Sequence, residues 1–425
     1  MSVFPLDIKN KTIIEEIQLI VSYFCGDNCL HVMNKYFLVL LAALPVLFSC
    51  KSNGGYSVDD NGAETILYDM DNTPSLLLKD VVELTKVIRL DDSDPNGLVG
   101  SIDELLYVNG VFVVADKYTS QRILTFDSNG KFISKISALG NGPREYISVR
   151  DVCITPKGNI GIVDTQKKKI LEFTVDGKYV TTIQLPCVPY YTEFLNNDTL
   201  VLCVAVNANN DDVRINESEF FTMDRKMNGI GYWGEDKYFK TGRSVYATTR
   251  KMLYRYGDSV YCSLLEDNVI YKVTDDTIVP KYNLRMAPDA LVAMWDEKNH
   301  DEDDLITWMN WYNRQPRFSG SFIELEDYSL VKFYAGYYTP WLLYDHRKKQ
   351  TFALTELDDD PLFSCYFRFT EAVMDDGHSI VSWNNAGTVL MHERLGPEID
   401  NGLLKEACKG LTEESNPLLF VFTFK

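Results

Sequence analysis

Little in this sequence has the spacing of a metal or nucleotide site. The five histidines, His31, His300, His346, His378 and His392, form no HxxxH-type pair. Cys153, Cys187, Cys203, Cys262, Cys365 and Cys408 are scattered without a short paired spacing, so they read as small buried residues rather than a disulfide framework or metal-binding knuckle. Basic residues are scarce: 42 Lys and Arg stand against 61 Asp and Glu, a net charge of −19. That balance excludes nucleic acid as a partner, because phosphate binding needs clustered cations. The glycine loop Gly140-Asn141-Gly142 has no Lys-Ser/Thr after it and no βαβ unit around it, so it is not a phosphate cradle. No long low-complexity tract follows about residue 80, and the longest apolar run has the length of a signal peptide rather than a membrane span.

What is present is an internal echo. Residues 108–136 and 156–183 repeat one pattern at a spacing of 47, matching Ile123 with Ile170, Phe126 with Phe173, Gly130 with Gly177 and Ile136 with Ile183. Asn129-Gly130 and Asp176-Gly177 supply the positive φ of tight hairpins between strand-like segments. A unit of 40–50 residues made of short strands and tight turns is the signature of a propeller blade. Weaker copies begin near Tyr191, Tyr254, Phe322 and Phe367, so the expectation is an all-β, six-bladed β-propeller over residues 81–425. A propeller hides its last sheet edge by pairing strands from both chain ends, which predicts Val82–Leu90 beside Leu418–Phe424. Residues 288–315 break the pattern with helical spacing of Leu305, Trp308, Met309 and Tyr312, a short helical insertion. A second helical stretch is expected at Leu403–Leu411.

The N-terminus reads as three pieces. Residues 33–49 form a signal peptide ending in Leu47-Phe48-Ser49 before Cys50, a lipobox resembling those of bacterial lipoproteins, with Cys50 as the lipid attachment site. Residues 1–32 precede this complete signal and read as a mis-assigned N-terminal extension, with Met33 as the start. Residues 50–80, polar and rich in Gly, Asn and Asp, read as a flexible tether.

The phrase Gly140-Asn141-Gly142-Pro143-Arg144-Glu145-Tyr146, the run Tyr271 to Tyr282 and the closing Asn416-Pro417-Leu418-Leu419-Phe420 resemble the six-bladed β-propeller lipoproteins of Bacteroidota, relatives of NHL-repeat and TolB-like propellers. The resemblance implies a cell-envelope location with a lipid anchor, most naturally in the outer membrane, and it carries no catalytic residues. Lys51, Ser52 and Asn53 depart from the acidic residues that direct such proteins to the outer face, so the periplasmic and surface sides stay open.

Candidate site residues follow from the positions where the two copies differ. Arg144, Glu145 and Tyr146 point either into an axial cavity or to an inter-blade ion pair, and Trp308, Trp311 and Tyr312 form either a recognition lip or the packing face of the insertion. Asp116, Asp164 and Asn384 end strands at equivalent places, where they serve either as turn caps or as weak candidates for a divalent metal on the ring axis. No cofactor is otherwise expected. Asp198-Thr199, Asp258-Ser259 and Asp276-Thr277 match an Asp-Ser/Thr-apolar glycosylation pattern, expected on exposed turns. Two functions remain: a non-enzymatic binding or scaffold module for a glycan, peptide or protein partner, or a metal-assisted propeller lyase or hydrolase acting at the central channel.

Overall fold

Val111–Asp116 and its echo Ile160–Asp164 are apolar at nearly every position instead of alternating, and packing on both faces explains it. In the computed structural model, which describes residues 62–204, 212–235, 251–264, 268–287, 317–334, 340–355, 360–367, 372–396 and 399–425, the strands form six mainly antiparallel sheets. Phe112 and Val114 pack with Ile88, Val381 and Leu419 of the preceding sheet. Val113 and Ala115 pack with Val152, Ile160 and Ile162 of the following one. Successive strand residues point to opposite faces, so a blade between two neighbours must be apolar on both. The same parity separates Leu200 and Leu202 from Val201 and Cys203 in the third blade. Each of the six seams thus has its own apolar cluster, and the ring is the six-bladed propeller expected of the repeat.

Every blade starts with its innermost strand. Blade one runs through Glu104–Val108, Val111–Asp116, Arg122–Asp127 and Phe132–Ile136. Blade two runs from Asp151–Ile154 to Tyr179–Gln184, and blade three from Pro189–Phe194 to Gly229–Glu235. Blades four and five begin with Leu253–Tyr256 and Arg317–Glu324. Blade six contains Ala372–Val373, Ser379–Asn384 and Leu418–Phe424, completed on its outside by Val82–Arg89. The closing register runs antiparallel from Arg89 opposite Leu418 to Val82 opposite Phe424, the pairing expected from the two chain ends. Asn416 locks it: its Oδ1 accepts from the Val99 amide at 2.8 Å, and its Nδ2 donates to the carbonyls of Asp91 at 2.8 Å and Gly97 at 2.9 Å. The hairpin Gly130 has φ +85° and lies where a Cβ would come within 2.2 Å of the Arg89 carbonyl, so glycine is required there twice over.

The tether expected at residues 50–80 needs correction over its described part. Glu64–Asp69 pairs in parallel with the outer strand of blade four, and Ser75–Leu77 pairs in parallel with the outer strand of blade five. Ile66 and Tyr68 are buried in the seam between those blades. Glu64 is held there by the Tyr344 hydroxyl at 2.8 Å and Lys349 Nζ at 2.6 Å. Residues 64–89 therefore form a strap that adds a strand to blades four, five and six in turn.

Helices fill the corner of blade six. Gly402–Ala407 realises the helix expected at Leu403–Leu411, with Asn401 capping the amides of Leu403 and Leu404. Pro361–Tyr366 and Ala386–Leu395 accompany it. The insertion at 288–315 lies outside the described residues. Cys153, Cys187, Cys203, Cys262 and Cys408 are buried free thiols, and Cys365 is a half-buried one.

Candidate functional site

The inner strands converge on the axis, and the hairpins that follow them gather at one end of it. Around that end lies a cavity of about 540 Å³ to which all six blades contribute. Tight turns make the mouth. Asn109 and Gly110 both take positive φ, as a two-residue hairpin requires. Gly158 of the neighbouring hairpin leaves only 2.3 Å between a would-be Cβ and Asn109 Nδ2, so only glycine lets the two turns pack side by side.

The wall includes Tyr107 from blade one and Tyr254, Tyr256 and Tyr261 from blade four. Two of these are fixed by their phenols: Tyr254 donates to the Gly320 carbonyl at 2.9 Å, and Tyr256 donates to the Phe322 carbonyl. Burial, with a contribution from Glu324, pushes the Tyr261 hydroxyl up to about 12. Tyr107 is raised by burial and then by Asp375 and Asp376. Asp258, Glu326 and Asp375 line the mouth and are exposed.

The deep end is ionic. Glu193 is buried and accepts from Arg255 Nε at 3.0 Å, yet burial outweighs that partner and raises its carboxyl. Beside this pair, Glu104 meets Lys117 Nζ at 3.3 Å and Lys251 Nζ at 3.9 Å. Burial opposes the charge on Lys117, but the Glu104 and Asp151 carboxyls more than offset it and raise its pKa. Asp151 accepts from the Thr192 amide at 2.7 Å, and burial, reinforced by Glu104, holds its carboxyl well above the usual range. Three carboxyls and three cations from blades one to four thus join across the centre of the ring.

Blades four and five share a hydrogen-bonded chain. Glu324 accepts from the Tyr282 hydroxyl at 2.9 Å and contacts Ser329 Oγ, which lies 2.7 Å from His346 Nε2. His346 Nδ1 lies 3.0 Å from the Glu326 carbonyl and must donate to it, because a carbonyl only accepts. Burial is the main cause that raises the Glu324 carboxyl.

The residues singled out in the sequence lie elsewhere or outside the described residues. Arg144 stacks on the Tyr179 ring, 4.9 Å from its centroid, on the outer strand of blade two. Tyr146 is fully buried in the seam of blades one and two, its hydroxyl donating to the Gln121 carbonyl at 2.8 Å, so it presents no surface to a ligand. Asp116 ends the second strand of blade one, not the innermost, and accepts from the amides of Thr119 at 3.0 Å and Ser120 at 2.9 Å. Burial costs that carboxylate, but the bonds from Ser120 and Ser101 outweigh the cost and lower its pKa. Asp164 holds the corresponding turn of blade two, accepting from the amides of Ile147 at 2.8 Å and Gln166 at 3.0 Å. Asn384 donates to the Cys365 carbonyl at 2.8 Å. These three act as turn and helix anchors within their own blades. Among the described residues no group of three or more His, Cys, Asp or Glu is placed to hold a metal ion. Cys50, Trp308, Trp311 and Tyr312 lie outside the described residues. Of the three glycosylation-like positions, Thr199 is buried, Ser259 half-buried and Thr277 exposed.

The ionic centre was missed although it left a trace. The 47-residue register, carried upstream, aligns Glu104 with Asp151, two acids at the start of innermost strands.

Comparison with known proteins gives one family match: Domain of unknown function (DUF4934) matches residues 64–423. A protein of Bacteroides fragilis assigned as exported is similar in structure, with a TM-score of 0.67 at 18% identity over 85% of this chain and 99% of that one. A member of the DUF4221 family from Bacteroides vulgatus has a TM-score of 0.45 at 13% identity, over 81% of this chain and 98% of that one. No curated protein matches.

Proposed function

The chain belongs to the family described as Domain of unknown function (DUF4934), and from that premise we propose that it is a binding or scaffold module of the bacterial cell envelope whose axial cavity receives a glycan, peptide or protein partner. The observation that carries this reading is the cavity itself: about 540 Å³, built by all six blades, walled by tyrosines of which Tyr254 and Tyr256 have their hydroxyls tied to backbone, and floored by paired charges. Concave sites with aromatic walls and a few fixed polar groups are where ligands bind. No specific observation favours the metal-assisted lyase or hydrolase. The envelope location is supported by the leader ending at Cys50 and by the export assigned to the Bacteroides fragilis relative. We place the protein on a lipid anchor at Cys50 in the outer membrane, with distant kinship to NHL and TolB-like propellers. Labelled fatty acid incorporated by the native chain but not by Cys50→Ser checks the anchor.

A thermal-shift screen against oligosaccharides and short peptides tests the cavity. A ligand at a hundred times its Kd stabilises by about 2.7 kcal/mol. Val373 lies in the wall, so Val373→Trp should obstruct the cavity and abolish the shift. A ligand that stabilises native and blocked proteins equally binds elsewhere, and the reading then fails.

A further inference from the structure

We infer that the axial cavity selects ligands bearing an ammonium or guanidinium group and takes that cation at its mouth. The inference rests on the cavity being the binding site and adds the chemistry of what enters it.

Among the described residues five carboxyl residues line the space, Glu193, Asp258, Glu324, Glu326 and Asp375, against two cations, Lys251 and Arg255. Both cations already face carboxylates: Arg255 pairs with Glu193 at 3.0 Å, and Lys251 lies 3.9 Å from Glu104. Of the deep acids, Glu324 is occupied by Tyr282 and Ser329. The surplus is therefore at the rim. Among the described residues Asp258 and Asp375 form no ion pair; Asp375 accepts only from the Gly110 amide at 3.2 Å. Glu326 meets His378 at 3.1 Å, a weak competitor on an exposed carboxylate.

Behind this rim stand Tyr107, Tyr256 and Tyr261, whose π-electron faces attract cations and offer nothing to anions. Separate groups register the same field: Tyr107 on blade one is raised in part by Asp375, and Tyr261 on blade four in part by Glu324. A cleft lined by one sign of charge between low-dielectric walls concentrates ligands of the opposite sign. The volume, about 540 Å³, suits a linear amine or a basic side chain with its flanking backbone, not a folded domain.

A free polyamine and a lysine or arginine side chain share this chemistry, and calorimetry with two probes separates them. Spermidine stands for the first and a blocked Gly-Lys-Gly peptide for the second, with blocked Gly-norleucine-Gly and maltotriose as neutral controls. At least one amine should bind, more weakly at 150 mM NaCl than at 20 mM, and the neutral controls should not; the tighter amine identifies the source. Asp258→Asn, Glu326→Gln and Asp375→Asn should each weaken binding about threefold, and the triple variant about thirtyfold, as for exposed charge pairs. Val373→Trp should abolish it. Maltotriose binding to the native cavity while both amines fail overturns the charge selection and leaves the cavity reading intact. Amine binding that survives the triple variant or the Val373→Trp block, or no amine binding at all, also overturns it.

Discussion

Replacing Asn416 by alanine probes the ring closure at one side chain. The native amide makes three hydrogen bonds, to the Val99 amide and to the carbonyls of Asp91 and Gly97, and is 4% exposed. At about 1 kcal/mol net per bond, Asn416→Ala should cost about 3 kcal/mol. For a chain of this size that is a fall of about 6 °C in melting temperature, at roughly 2 °C per kcal/mol. Asn416→Asp is the sharper variant. It keeps the acceptor for Val99 but sets a carboxylate oxygen against two carbonyl oxygens in a buried site, so it should be less stable than Asn416→Ala at neutral pH. Protonation restores one donor, and burial raises that carboxyl in the folded state. Its stability should therefore recover as pH falls and be lost as pH rises through the folded value. Melting followed by circular dichroism between pH 4 and 8 reads both effects. An Asn416→Ala protein melting within 1 °C of the native one would falsify the latch and leave closure to strand pairing alone.

Three further outcomes are expected. Asp151 has a raised carboxyl, so its contribution is full below the ordinary value of 3.8 and is lost as pH climbs through the folded one; Asp151→Asn should gain on the native protein between pH 4 and 8, and a melting difference independent of pH refutes this. Removing residues 1–77 takes the strap strands off blades four and five and bares two sheet edges; light scattering should show association that the longer chain lacks, and a monodisperse truncated protein counts against the strap's protective role. Among the six cysteines of the described residues, Cys365 should react first with a thiol reagent in the native state, because burial closes off the others and pushes Cys187 up to about 12; rapid modification of Cys153 or Cys262 without unfolding contradicts the packing.

The propeller was legible because its repeat consists of what every blade needs: apolar central strands and glycine hairpins such as Asn129-Gly130. The same logic hid the site. Asp116 and Asp164 were conspicuous because they recur, and they recur because each blade must hold a turn. Glu193 and Arg255 look like ordinary charges within strands and acquire meaning only when separate blades bring them to the axis. The strap reads as tether because Ser75–Leu77 and Glu64–Asp69 are too short to announce themselves, and their partners lie hundreds of residues away in the chain. Ala386–Leu395 escaped because Gly387 stands in its first turn and Asn385 makes no side-chain cap there.

The strap also sets an order of events. Its strands are the first of the described chain to be synthesised, yet their partners come progressively later: Glu64–Asp69 pairs with residues up to Ala287, Ser75–Leu77 with residues up to Thr355, Val82–Arg89 with Leu418–Phe424. The first two segments can pair while synthesis proceeds, but Val82–Arg89 must wait unpaired until Leu418–Phe424 has been made. The slow step of folding is then the return of this segment across the whole chain, a long loop closure that no early intermediate can bypass.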